Sequence, residues 1–157
     1  MKKGEQNQSL LSGSNRMILK FALLLLYLTA LCYGLFFAES FGRTRTHSSY
    51  NIIPFYEIRR YLGHIETMGW QIVLLNLAGN VVVFIPFGFL IPSMWPKNDK
   101  RHPIGLIFLT VLFSVSIEIL QYLTAVGSAD VDDVILNALG GFIGYLLYSL
   151  WRKIRYE

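Results

Sequence analysis

Eight polar side chains stand within, or at the mouths of, stretches that are otherwise apolar. They are Asn76 and Asn80, then Glu118 and Gln121, then Asp130, Asp132, Asp133 and Asn137. A carboxyl at membrane depth is costly unless it has a partner or a proton, so Glu118 is suited to proton transfer or to holding a donor. Carboxamides both donate and accept, and would orient a ligand or one another. The Asp130-Val131-Asp132-Asp133 run has two uses open to it. Carboxylates before an apolar run cap a helix N-terminus, and oxygen ligands in a short acidic run suit Mg²⁺ or Ca²⁺. With no second ligand cluster, neither a metal nor a cofactor is assigned. The chain has no His-Glu-x-x-His, no Gly-x-Ser-x-Gly and no phosphate-cradling glycine loop.

These residues need elements to position them, and the composition says which kind. Of the 157 residues 54% are hydrophobic and the mean hydropathy is +0.45, values of an integral membrane protein. A bilayer-crossing helix needs about 20 mostly apolar residues. Four runs meet that length, over residues 17–38, 70–95, 103–126 and 131–151. The expected fold is an all-α, four-helix transmembrane bundle.

Helix geometry then asks whether the polar residues meet. At 1.5 Å per residue, Asn76 and Asn80 lie about 9 and 15 Å into the second run from Trp70. Glu118 lies about 22 Å along the third run, about 8 Å short of the opposite face of a ~30 Å core, with Gln121 nearer still. Asn137 lies about 6 Å into the fourth from Asp133. All three helices deliver their polar groups to the same half of the membrane. Asn76 and Asn80 share a face by i,i+4 spacing, as do Ser114, Glu118 and Gln121 by i,i+4 and i,i+3. Asp133, Asn137, Gly140 and Gly144 form a third such face. Gly140-x-x-x-Gly144 permits close helix approach. Gly79, Gly88 and Pro86 read as packing and kink elements.

Charge sets the orientation. With four spans, the N-terminus, the second connection and the C-terminus share a side bearing ten Lys and Arg, against four on the other. The positive-inside rule puts both termini in the cytoplasm and the polar convergence in the outer leaflet. The formal charge of +4 is thus a topology signal and an attraction to anionic lipid, not a nucleic-acid stripe. Residues 1–16 form a disordered cytoplasmic tail, 17–151 the membrane domain and 152–157 a basic cytoplasmic tail. Residues 39–69 make the longest loop, and its mixture of apolar and charged residues from Asn51 to Leu62 reads as an outer interfacial segment. Residues 96–102 form a tight cytoplasmic turn. Trp70, Trp95 and Trp151 sit at segment ends, where aromatic belts form. The single cysteine, Cys32, excludes an internal disulfide. His47 and His64 lack ligand spacing and read as solvated.

The motifs resemble those of VanZ-like membrane proteins. Asn76, Gly79, Asn80, Phe84, Pro86 and Gly88 follow an N-x-x-G-N-x-x-x-F-x-P-x-G pattern. Glu118 and Gln121, with Ser114 or Ser116, resemble an S-x-x-E-x-x-Q stretch. Asp130 to Gly141 is similar to D-x-D-D-x-x-x-N-x-x-G-G, and Asn51 to Phe55 to part of the first outer loop. Many members carry an Arg after the glycine of the last outer loop, where this chain has Gly127-Ser128. Arg59 or Arg60 is left to supply a cation.

The resemblance implies a bacterial envelope protein associated in some members with reduced susceptibility to teicoplanin-type glycopeptides. Three readings fit the residues. The leading one is an accessory factor that binds or modifies a surface or lipid-linked precursor. There Glu118 and Asp133 are the central groups, Asp130 and Asp132 stand at the outer mouth, and Asn76, Asn80, Gln121 and Asn137 orient a ligand. The second is an intramembrane acid/base or divalent-metal enzyme acting on an envelope lipid or precursor. The third is a helix-packing partner of another membrane protein. The bilayer is the expected surrounding, a glycopeptide-related ligand or an envelope precursor the expected small partner, and oligomerisation is compatible with all three.

Overall fold

The computed structural model describes residues 2–36, 50–95 and 103–156. The chain order is α1 (Lys2–Phe36), β1 (Tyr50–Asn51), α2 (Tyr56–Gly63), α3 (Ile65–Met68), α4 (Trp70–Ser93), α5 (Pro103–Thr124), β2 (Ala129–Asp130) and α6 (Val131–Tyr156). Four helical stretches are long and apolar enough to cross a membrane: Ser14–Phe36, Trp70–Ser93, Pro103–Thr124 and Val131–Arg155. They coincide with the four expected runs to within a few residues, as an all-α bundle requires.

Helix α1 extends back to Lys2, through the stretch expected to be a polar tail. Propagation from an already formed helix adds one hydrogen bond per residue, and Glu5, Gln6, Gln8 and Leu10 are good helix formers. The basic residues Arg152, Lys153 and Arg155 likewise continue α6. The turn over 96–102, His47 and the first part of the 39–69 loop lie outside the described residues.

Side-chain contacts give the helix directions. The Lys20 ammonium donates to the Ser93 carbonyl, and the Tyr27 hydroxyl donates to the Val83 carbonyl at 3.0 Å. Rising numbers on α1 meet falling numbers on α4, so the two are antiparallel. Helices α4 and α6 are parallel: a Cβ on Gly140 would strike the Val81 carbonyl, and one on Gly144 the Ile85 carbonyl. Gly88 faces Gly141 in the same way. The glycines therefore let the two backbones touch, as the small-x-x-x-small spacing predicts. The apolar core gathers Leu31, Phe84, Phe87 and Ile117, with Phe113 packed against them. The Phe87 and Phe113 rings stack at 5.0 Å.

Helix α5 buries a stripe of Leu106, Thr110, Ser114, Ile117, Glu118 and Gln121, while Ile104, Phe108, Leu112, Ile119 and Leu123 stay exposed. A water-soluble helix does the reverse. Polar residues inside and apolar residues outside suit a lipid surrounding, where hydrogen bonds and close packing replace the hydrophobic effect between helices.

Candidate functional site

The site is built at one end of the bundle, around the start of α6. Strands β1 and β2 pair in parallel there, Tyr50 opposite Ala129 and Asn51 opposite Asp130. This two-rung ladder ties the segment before α2 to the segment before α6. The Asn51 amide reinforces it by donating to Asp130 Oδ1 at 3.0 Å. The other side of the Asn51 carboxamide accepts the Ile53 N–H at 3.0 Å.

The three neighbouring carboxylates perform three different tasks. Asp130 Oδ1 accepts the Asp132 N–H at 2.8 Å, a cap on the first turn of α6. Asp132 turns away from its own helix. Its Oδ1 accepts the Phe55 N–H at 2.5 Å and its Oδ2 the Ile58 N–H at 3.1 Å. Phe55, the residue at the N-cap of α2, has no side chain able to cap and holds a left-handed φ of 64°. Asp132 supplies the missing acceptor from 77 positions away, and its negative charge faces the positive end of the α2 dipole. Only 1% of Asp132 is exposed. Asp133 accepts a hydrogen bond from the Asn80 amide of α4.

Buried groups on α5 hold this arrangement from beneath. Glu118 Oε2 accepts the Asp130 N–H at 3.0 Å, so Glu118 positions the backbone of the acidic run. Asn137 donates to Ser114 Oγ at 2.8 Å, linking α6 to α5. Gln121 Nε2 donates to the Leu35 carbonyl of α1 at 3.4 Å. Asn76 donates to the Ile72 carbonyl of its own helix at 2.8 Å and is exposed.

Between these elements lies a polar cavity of about 420 Å³. Helix α2 contributes Glu57, Ile58, Arg60 and Tyr61, and α4 contributes Asn76 and Leu77. Gln121, Gly127 and Ser128 come from α5 and the connection after it, and Asp130, Asp132, Asp133 and Leu136 from the α6 side. Five of the eight sequence-selected residues, Asn76, Gln121, Asp130, Asp132 and Asp133, therefore face one space. Glu118, Asn80 and Asn137 are not among its described lining; Glu118 and Asn80 act on Asp130 and Asp133, which are, whereas Asn137 bonds Ser114, which is not.

The α2 wall carries groups that depth and phase did not single out. Arg60 bonds Glu57 through Nε at 2.8 Å and through Nη2, and its guanidinium lies 5.0 Å from the Tyr61 ring centre. The Glu57-x-x-Arg60 spacing is a sequence signal for that pair, and Arg60 is one of the two arginines that the sequence left to supply a cation. Arg60 thus brings a cation to the cavity that Gly127 and Ser128 also line. The hydrogen bond to Glu57 raises the Arg60 pKa further. Burial raises that of Tyr61, against the pull of Arg60. Burial also raises the Asp130 carboxyl above its ordinary 3.8, opposed by the hydrogen bonds from the Asp132 N–H and Asn51. Among the described residues, no group of three or more His, Cys, Asp or Glu is arranged to hold a metal ion.

Comparison with known proteins places the chain in a family. A stretch of 82 residues is 40% identical to Protein VanZ of Enterococcus faecium, covering 50% of this chain and 47% of that protein. The chain thus matches about half the length of that curated relative. No solved structure matches the chain. The VanZ/LLP1 family model matches residues 24–152, which takes in the second and third spans whole, part of the first and most of the fourth, together with the β1–β2 ladder and the cavity lining. This multi-pass membrane protein belongs to the VanZ/LLP1 family.

Proposed function

We propose that the chain is an accessory protein of the bacterial cell envelope that lowers susceptibility to teicoplanin-type glycopeptides. It does so by binding a surface or lipid-linked precursor in the polar cavity at the β1–β2 end. The observation that carries this reading is the convergence of Arg60, Gln121, Asp130 and Asp133 on one cavity of about 420 Å³ at the end of a membrane bundle. Such a concave site with a few fixed polar groups is the usual form of a ligand pocket. Its carboxylates are fixed by backbone and amide donors, which favours holding a ligand over transforming one. The excess of Lys and Arg on the opposite side of the spans supports an outward-facing cavity and cytoplasmic termini.

Expression in a glycopeptide-sensitive host tests the proposal. The protein is expected to raise the inhibitory concentration of teicoplanin and not that of vancomycin. Asp133→Asn, at unchanged membrane level, is expected to abolish the effect. Full retention of the phenotype in Asp133→Asn overturns the assignment of the site.

A further inference from the structure

The two ends of the bundle differ in charge. Among the residues whose side chains are described, the acidic ones are Glu57, Glu66, Glu118, Asp130, Asp132 and Asp133, all toward the end that carries the β1–β2 ladder. The other end is marked by Lys20, which donates to the Ser93 carbonyl. Phe89 marks it too, its ring 5.9 Å from that of Tyr148 and 6.0 Å from that of Trp151. This end carries Arg16 and Lys20 on α1 and Arg152, Lys153 and Arg155 on α6. None of these five cations has an ion pair among the described residues.

Helix α6 projects beyond its neighbour there. Phe89 lies opposite the turn from Tyr148 to Trp151, α4 ends four residues later at Ser93, and α6 runs on to Tyr156. The span Val131–Arg155 has 25 residues, about 37 Å at 1.5 Å each, which exceeds a ~30 Å hydrocarbon core. A tryptophan and a tyrosine at a span end sit at the headgroup boundary, so Arg155 stands one turn further out, among the phosphates.

Helical spacing sorts this end of α6 into two adjacent stripes. Tyr148, Trp151, Arg152 and Arg155 follow i,i+3 and i,i+4 steps along one of them. The Arg155 guanidinium lies 5.2 Å from the Trp151 ring centre, and Trp151 is steadied by Phe89 and by Tyr148 at 6.2 Å. A cation–π contact fixes the group and consumes no N–H donor. No acceptor among the described residues takes the five donors that Arg155 carries. Leu147, Leu150 and Ile154 form the second stripe, all exposed, Ile154 to 74%. A phospholipid has two matching halves. Its chains lie on an apolar stripe, and its phosphate accepts the planar fork of a guanidinium. Five cations at one end favour a headgroup of net negative charge over one that also carries an ammonium.

We infer that the Trp151–Arg155 corner of α6 binds an anionic phospholipid. Its phosphate accepts from Arg155 and Arg152, and an acyl chain runs along Leu150 and Leu147. This corner stands at the end of the bundle away from the cavity, and does not depend on what the cavity holds.

The test titrates the full chain in micelles with dioleoylphosphatidylglycerol and, separately, with dioleoylphosphatidylcholine, and follows bound lipid by native mass spectrometry. The anionic lipid is expected to bind about tenfold more tightly. Arg152→Gln/Arg155→Gln is expected to remove most of that preference, and Arg59→Gln, on α2 at the other end, to leave it unchanged. Arg155→Lys keeps the charge without the planar fork, and is expected to weaken binding of the anionic lipid about threefold. Equal affinity of the wild-type protein for the two lipids overturns the site, whatever the variants do. A preference that survives Arg152→Gln/Arg155→Gln, or falls as far in Arg59→Gln, overturns its assignment to this corner. Undiminished binding by Arg155→Lys reduces the attraction to diffuse charge and overturns the site as drawn. Binding of neither lipid, with capture of a poly-glutamate peptide, gives the corner to an acidic protein segment and overturns the lipid.

Discussion

Glu118 Oε2 accepts the backbone N–H of Asp130 at 3.0 Å, across the turn that joins α5 to α6. A carboxylate at the end of one span thereby fixes where the next begins. Glu118→Gln keeps an oxygen at that position and is expected to leave the turn intact. Glu118→Leu strands a buried N–H, and is expected to cost about 1–3 kcal/mol. Unfolding in detergent, with proteolysis of the α5–α6 turn as a local readout, checks both.

Asp132 and α2 give a second, separable prediction. Asp132→Ala removes both acceptors from the N-terminus of α2 and is expected to cost about 1–2 kcal/mol, in the range of a lost helix cap. Hydrogen exchange at the amides of Phe55 and Ile58 is expected to accelerate, while the amides of α5 stay protected. Unchanged exchange at those two positions would show that α2 does not depend on Asp132.

Two glycines on the α4–α6 pair predict opposite outcomes. A Cβ at Gly140 meets the Val81 carbonyl, and a Cβ at Gly79 meets nothing within 4 Å. Gly140→Ala is expected to destabilise by about 1–3 kcal/mol through overpacking. Gly79→Ala is expected to stabilise by about 0.5–1 kcal/mol through helix propensity. Denaturation midpoints in one detergent compare the two directly.

Asp130 predicts a pH dependence. Its folded pKa lies above 3.8 because of burial, so the native state holds a proton that the unfolded state has released. Between 3.8 and the folded value the native state binds more protons, and stability falls as pH rises through that window. Asp130→Asn is expected to flatten this part of the melting temperature profile.

The spans were legible because each is a long apolar run, and length against bilayer thickness decides the matter. The close approach of α6 to its neighbour was legible in Gly140 and Gly144, since small residues four apart share a face. The meeting of Asn76, Gln121, Asp130 and Asp133 followed from depth and helical phase. Other features were beyond local pattern. Strand β1 has two residues, too few for any alternation to show. Asp132 reads as a cap for its own helix, yet it caps α2, a contact that exists only once residues 77 positions apart are brought together. For the same reason the place of α2 as a cavity wall, with Glu57 and Tyr61, emerged from the fold, while Arg60 was one of two arginines the sequence offered as a cation and the fold selects it. Glu118, the most conspicuous polar residue of the third span, holds the backbone of Asp130, a target no side-chain motif could reveal.

The parallel pairing of β1 with β2 has a consequence for biosynthesis. A ribosome releases β1 early and β2 only after three spans have emerged, and Asp130, Asp132 and Asp133 arrive with or just after β2. Until then α2 lacks its acceptor, Asn80 lacks Asp133, and the cavity lacks a wall. Membrane insertion can proceed span by span, but the pocket forms last, at a single closing step. A nascent chain stopped after α5 would carry three apolar helices and an unformed cavity.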